Sequence, residues 1–235
     1  MSERVAIVLL AHNEADTIGS EIRAFHETIV QRLPGAEMIV AEDGSRDGTR
    51  DRILEAGREI PLRVVGGSER LGYTKAVEGA LRTTDADWVF LCDGGAKHDP
   101  ADFWPMWNAR DRFDLISGRK TNRRDQWYRQ LMTAGFNLVL RLLFGHEVYD
   151  ADSGIRLLKR PAVDAILART LTFVGFCSSE IVLRSIASGF RYGEVPVSYR
   201  QRAGESRGIP LHRLPKIIRQ GLVDLFALRR ELGPR

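Results

Sequence analysis

The sequence predicts an α/β fold: a mostly parallel, Rossmann-like sheet with helices on both faces. Three observations predict it. Apolar runs of strand length alternate with helical stretches through the N-terminal half, the pattern of a parallel sheet covered on both faces. The first of these runs, Val5–Leu10, is continuously apolar, as a strand buried on both sides must be. Polar clusters at His12–Glu14, Glu42–Asp47 and Asp93–Asp99 follow three of them, which puts all three clusters at the carboxyl edge, where such sheets bind ligands.

Val5–Leu10 reads as the first strand and Asp16–Leu33 as a helix closed by Pro34-Gly35. Glu37–Ala41 is a strand, Gly48–Arg58 a helix, Leu62–Val65 a strand, Thr74–Thr84 a helix and Trp88–Cys92 a strand. The second half is less regular. Phe113–Ser117 reads as a strand, Gln126–Leu143 as a long helix, Gly154–Leu158 as a short strand and Phe190–Tyr199 as an extended segment. Leu214–Leu232 carries Leu214, Ile217, Ile218, Leu222, Leu225 and Phe226 at helical spacing, with Lys216, Arg219, Arg229 and Arg230 around them. The expected membership of the membrane interface for this helix competes with plain packing on the core.

The 235 residues are 43% hydrophobic and 28% charged, an ordinary globular balance with enough chain for a sizeable core. The net charge, 35 − 31 = +4, is unevenly spread. Ser117–Arg141 carries six Lys/Arg against one Asp, and Tyr199–Arg235 nine against three, so the remainder is acidic. Basic segments of this kind suit a phosphorylated substrate or an anionic membrane surface. Nucleic acid is disfavoured, because acidic loops line the expected cleft and no recognition motif is present. Cys92 and Cys177 lie among small and apolar neighbours, which predicts buried free thiols and a reducing, cytoplasmic setting. No secretory leader is expected, and no stretch reaches the roughly 20 apolar residues of a membrane-spanning helix.

Three motifs carry chemistry. Glu42-Asp43-Gly44-Ser45-Arg46-Asp47-Gly48-Thr49 closes a strand with two acids, turns on Gly44 and opens a helix. A carboxylate there can accept the imide N–H of a base or a ribose hydroxyl; an acidic turn without a ligand is the plain alternative. Gly67–Ala80 is a glycine-rich helix entry that lacks Gly-x-Gly-x-x-Gly and follows the third strand, which excludes a dinucleotide-binding dehydrogenase. Its amides can still face a phosphate. Leu91-Cys92-Asp93-Gly94-Gly95-Ala96-Lys97-His98-Asp99-Pro100 follows the fourth strand.

Together with Leu10-Ala11-His12-Asn13-Glu14, these motifs resemble glycosyltransferase family 2, in particular its dolichyl-phosphate mannose synthase and bactoprenol glucosyltransferase branch. The resemblance continues through Ser117-Gly118-Arg119, Arg129 followed by Thr133, Asp150–Arg156, Phe176–Glu180, Glu194–Val197 and Arg202–Ser206, in order along nearly the whole chain. It implies a GT-A fold in one domain, 1–235, with a nucleotide-sugar half at 1–98, an acceptor half at 99–210 and an amphipathic helix at 211–235. It implies an inverting transfer of a hexose from a UDP- or GDP-sugar to a polyprenyl phosphate on the cytosolic membrane face. Transfer to a glycan or small-molecule hydroxyl, and a non-catalytic nucleotide-sugar-binding protein, are the alternatives. Donor contacts are expected at Ala11, Asn13, Glu14, Glu42, Asp43, Lys75, Asp93 and Gly94, and acceptor contacts at Arg119, Arg129, Arg202 and Ser206. Arg119 and Arg129 would grip the acceptor phosphate through guanidinium forks. Asp152 or Glu180 would act as base toward a hydroxyl, although Glu180 also suits a plain helix-start charge.

The family's Asp-x-Asp-x-Gln metal motif reads Asp93-Gly94-Gly95-Ala96-Lys97 here. The resemblance implies Mg²⁺ or Mn²⁺, yet Gly95 and Lys97 stand where two of three oxygen ligands would be, and an ammonium has no lone pair. Lys97, paired with Asp93, is expected to supply the positive charge itself; a metal on Asp93, diphosphate oxygens and water is the alternative.

Overall fold

The strand β1 (Val5–Ala11) is buried along its full length and lies in the interior of the sheet. It pairs in parallel with β2 (Glu37–Glu42) on one side and β4 (Trp88–Asp93) on the other, and β3 (Arg63–Val65) extends the sheet beyond β2. In the other half β6 (Ile155–Lys159) lies antiparallel between β4 and β5 (Leu115–Lys120), while β7 (Tyr192–Val197) runs parallel to β5. The order is β3-β2-β1-β4-β6-β5-β7. This computed structural model describes residues 3–121, 127–145, 148–173, 177–198 and 214–233, the side chains of 127–132 and 214–217 excepted.

Alternation along β1 explains the two cores. Ala6, Val8 and Leu10 face one side, with α3 (Tyr73–Thr83), α6 (Arg160–Leu167), α7 (Cys177–Ala187) and α8 (Leu214–Leu232). Val5, Ile7, Leu9 and Ala11 face the other, with α1 (Ile18–Thr28), α2 (Thr49–Ala56) and α4 (Phe103–Asn108). The sheet is therefore sandwiched as its apolar strands require, and each fully buried aliphatic side chain contributes about 1.5–3 kcal/mol.

Boundaries shift where local packing overrides pattern. The first helix stops at Thr28 and the chain continues as a 3₁₀ turn at Val30–Arg32, short of the expected Leu33. The helices α4 and α6 were not legible as periodic runs, being six and eight residues long. The long α5 (Trp127–Phe144) falls within a residue of its expected bounds. Cys92 and Cys177 are both buried and free, as expected. Among the described residues no helix is long and apolar enough to cross a membrane. In α8, Leu225 and Leu228 pack into the core at 1% and 2% exposure, whereas Ile218, Leu222, Val223 and Phe226 stay exposed.

Candidate active site

The carboxyl ends of β1, β2 and β4 open into a cleft of about 190 Å³. Ala11, Glu14, Asp43, Asp93, Gly94 and Lys97 line it, with His12, Arg70 and Tyr73. Of the expected donor contacts, Asn13, Glu42 and Lys75 are not in the lining. Lys75, on the first turn of α3, pairs with Glu78 at 3.1 Å. Asn13 acts on the loops instead. It adopts a left-handed conformation (φ 55°), donates its amide to Ser45 Oγ at 3.0 Å and accepts from the Arg46 amide at 3.0 Å. His12 Nδ1 lies 2.8 Å from the Asp43 carbonyl, which can only accept, so that nitrogen carries the proton.

The acidic turn is turned inward. Glu42 is 2% exposed; its Oε1 accepts from the Ser45 amide at 2.6 Å and its Oε2 pairs with Arg50 at 3.3 Å. Asp43 Oδ1 accepts from the Leu71 amide at 2.7 Å, and both its oxygens lie within 3.1 Å of the Gly72 amide. Thus Asp43 clamps the glycine-rich loop and only its remaining edge faces the cleft. Gly44 (φ +60°) is pressed so closely on that loop that a Cβ would stand 2.4 Å from the Arg70 amide nitrogen.

At the end of β4, the Asp93 amide donates to the Gly154 carbonyl at 2.7 Å and Asp93 Oδ1 accepts from the Tyr73 hydroxyl at 2.8 Å. The expected Lys97–Asp93 ion pair is not formed. Lys97 is half-buried, lines the cleft and makes no ion pair with any described residue; the turn before it bends at Gly95 and Ala96 (φ 93° and 53°). His98 is buried, and burial first, then the positive charges of Lys120, Lys97 and Arg156, depresses its pKa to about 3, so it stays neutral at ordinary pH.

Glu21, Arg70 and Tyr73 were not expected at the site. Glu21 sits on the buried face of α1 beside Ile18, Ile22 and Phe25 and accepts from the Gly95 amide at 2.9 Å. Burial raises its carboxyl pKa, against the lowering by the amides of Gly95 and Ala96. An acid inside the apolar stripe of α1 was the available signal.

Toward the acceptor side, Arg119 is exposed at the end of β5, its guanidinium 5.6 Å from the Tyr149 ring. Arg202, Ser206 and the side chain of Arg129 lie outside the described residues. Asp152 is exposed at the surface, yet the protein gathered around its carboxyl pushes its pKa up to about 6, desolvation first, with Asp93 and Asp150 adding to it against Arg156 and Lys120. Beneath lies Arg156, 1% exposed, with its Nη2 donating to the Ala151 carbonyl at 3.2 Å. Glu180 does not line the cleft. It is fully buried, accepting from the Thr172 and Phe173 amides at 2.9 and 2.8 Å and pairing with Arg184 at 2.8 Å.

The donor set fits a divalent cation poorly. Asp93 is the single carboxylate of its loop before His98, and one of its oxygens is taken by Tyr73. A side chain at Gly95 would place its Cβ 3.1 Å from Glu14 Oε1, so a second acid there would be driven against an existing one.

Comparison with known proteins agrees with the fold and the motifs. The family described as "Glycosyl transferase family 2" matches residues 6–167. A dolichyl-phosphate hexose transferase of Haloferax volcanii is 29% identical over 86% of each chain. An undecaprenyl-phosphate 4-deoxy-4-formamido-L-arabinose transferase of Proteus mirabilis is 22% identical over 87% of this chain, which spans 62% of that protein. Glucosyl-3-phosphoglycerate synthase of Mycobacterium tuberculosis, solved with Mn²⁺, UDP-glucose and phosphoglyceric acid, superposes with a TM-score of 0.70 at 22% identity, over 99% of this chain and 81% of that one. The sheet is thus a GT-A fold, and the chain belongs to glycosyltransferase family 2.

Proposed function

We propose that this glycosyltransferase moves a hexose from a UDP- or GDP-sugar to a polyprenyl phosphate, working at the surface of a membrane on its cytosolic side. Residues 1–98 would hold the donor through Ala11, Glu14, Asp43, Asp93 and Gly94, with Asn13 and Glu42 shaping the loops and Lys75 at the helix entry. Residues 99–210 would hold the acceptor phosphate through Arg119, Arg129, Arg202 and Ser206. An ionised phosphate needs no strong base, so positioning and charge would carry the rate.

The observation that carries the lipid acceptor is the outer face of α5 and α8. These helices pack together and leave Leu138, Leu142, Ile218, Leu222, Val223 and Phe226 exposed, with exposed Arg141, Arg219 and Arg230 among them. An apolar cavity of about 360 Å³ opens between α5, α7 and α8. A water-soluble acceptor gives no reason for such a face, whereas an anionic bilayer accepts both its apolar and its basic residues. The names of the Haloferax and Proteus relatives point the same way. On anionic vesicles carrying undecaprenyl or dolichyl phosphate, the protein should float with the lipid and convert the carrier to a hexosyl phospholipid when the right UDP- or GDP-hexose is supplied. Leu222→Glu with Phe226→Glu should cut the bound fraction at least about tenfold, since each side chain is worth about 1.5–3 kcal/mol when buried. Protein that stays in the soluble fraction and leaves the lipid phosphate unglycosylated contradicts the reading.

Asp152 supports a second reading, transfer to a hydroxyl. A base must be ionised to take the proton, so with a pKa near 6 activity should rise as pH passes upward through about 6 and vanish on the acid side. Asp152→Asn should remove that limb along with the activity. The linked effect on stability has the opposite sign from a salt-bridged acid. The folded state holds the proton more tightly than the unfolded chain, so the protein is most stable below the unfolded value of 3.8, loses stability as pH rises, and bears the full cost of ionising Asp152 above about 6. Asp152→Asn should therefore melt higher than the wild type at neutral pH but not at low pH. A pH–rate profile without an acid limb for a hydroxyl acceptor removes Asp152 as the base.

A further inference from the structure

We propose that this chain meets the charge of the departing nucleoside diphosphate with the ammonium of Lys97 in place of a divalent cation on Asp93. The inference rests on the reading of the cleft as a nucleotide-sugar site and assigns the means by which the leaving group is stabilised. In the transfer, an acceptor oxygen forms a bond to the anomeric carbon as the bond from that carbon to the β-phosphate oxygen breaks. The bonding pair stays on that oxygen, so the nucleoside diphosphate leaves with one more negative charge than it had as part of the donor. A phosphate acceptor gives up no proton; a hydroxyl gives its proton to a base. Lys97 takes no part in the proton balance and its role is electrostatic.

Four features of the cleft lead here. Asp93 has Oδ1 committed to the Tyr73 hydroxyl at 2.8 Å, and Oδ2 is so close to the backbone of Gly154 that a Cβ there would stand 2.3 Å from it. The turn that follows bends on Gly95 at φ +93°, where any side chain would be strained and would meet the carboxylate of Glu14. The other nearby acid, Glu21, is buried on the Gly95 amide at 2.9 Å, and burial favours its neutral form. Against these scarce oxygen donors, Lys97 lines the same cleft as Asp93 and Gly94, half-buried and without an ion pair among the described residues. An ammonium on the wall of a half-buried cleft, held in no direct ion pair among the described residues, can turn to an anion that enters the cleft. A magnesium ion, reluctant to give up water, would find the carboxylates of the cleft spread apart, since no group of three or more possible ligands is gathered among the described residues, and Asp93 itself is partly engaged.

Calorimetric titration of the whole protein with UDP, GDP, UMP and GMP, in EDTA and again in Mn²⁺, tests the assignment. The expected result is that the preferred diphosphate binds with the same Kd in EDTA as in Mn²⁺. Lys97→Ala should weaken that diphosphate about tenfold to a hundredfold in EDTA, the loss of one charge-assisted contact, and leave the monophosphate of the same nucleoside unchanged. Lys97→Arg should restore most of the diphosphate affinity. Diphosphate binding that collapses in EDTA and returns with Mn²⁺ would overturn the proposal while upholding the nucleotide site. So would a Lys97→Ala protein that binds the diphosphate as the wild type does, or one that loses monophosphate and diphosphate equally. Absence of binding by every nucleotide under both conditions would instead bring down the donor site itself, and this inference with it.

Discussion

Gly154→Ala is expected to cost about a hundredfold in kcat/KM while leaving a folded protein. The new Cβ would stand 2.3 Å from Asp93 Oδ2 and 2.7 Å from its Cγ, closer than such atoms approach. Asp93 cannot simply yield, because its amide is tied to the Gly154 carbonyl at 2.7 Å and its carboxylate to Tyr73 at 2.8 Å. Either the side chain leaves its rotamer and releases Tyr73, or β4 and β6 move apart at the floor of the cleft. Displacement of a positioned group by about 1 Å is worth roughly that hundredfold in rate. Overpacking of this kind costs about 1–3 kcal/mol in stability, which a domain of this length shows as several degrees in Tm. Gly79→Ala is the control: nothing lies within 4 Å of the added methyl, and it stands inside α3, where alanine favours the helix. Steady-state rates and melting curves of the two variants check the argument. Wild-type turnover by Gly154→Ala would remove Asp93 from the reaction centre.

The same pair of residues shows what the sequence could and could not reveal. The strands β1, β2 and β4 and their polar ends were legible because a strand buried on both faces is apolar along its length and turns polar where it leaves the sheet. That alone located Ala11, Glu14, Asp43, Asp93 and Gly94 at one edge. The direction of β6 was not legible. A short strand sequence such as Ile155–Leu158 reads the same parallel or antiparallel, and the antiparallel placement is what brings Gly154 against Asp93. Nor could spacing show which acids face outward. Glu42 and Asp43 are adjacent, but strand alternation sends the first to Ser45 and Arg50 and the second to the loop amides at Leu71 and Gly72. Lys97 was expected to pair with Asp93 from its place in the metal motif; the two line the same cleft without pairing, and Asp93 bonds Tyr73. The helices α4 and α6 escaped notice because two turns of helix carry too little periodicity to stand out.

Glu180 separates a catalytic from an architectural carboxylate, and Glu180→Ala is expected to destabilise the protein by about 3 kcal/mol or more. Its side chain is fully buried, and so is most of Arg184, which pairs with it at 2.8 Å. Removing one member of a buried pair leaves the other charge without its compensation, a loss of about 3–5 kcal/mol, moderated here because Arg184 also reaches Glu231 at 2.6 Å. The same carboxylate receives the amides of Thr172 and Phe173, and the Phe173 carbonyl in turn receives the Thr74 hydroxyl at 2.7 Å. Through that chain Glu180 ties the segment before α7 to the first turn of α3, next to Tyr73. A drop of roughly 10 °C in Tm should follow, at 2–4 °C per kcal/mol for this length. Glu180→Gln tells the two roles apart. An amide oxygen can still accept from the Thr172 or Phe173 amide but cannot take a proton as a base or pair with Arg184. If the residue is architectural, Glu180→Gln melts lower than the wild type yet turns over substantially when assayed well below its Tm, with the wild-type pH profile. A catalytic base would give the reverse, an unchanged Tm and no turnover at any temperature or pH. Because the carboxylate is enclosed on every side by its own partners, the first pattern is the expected one.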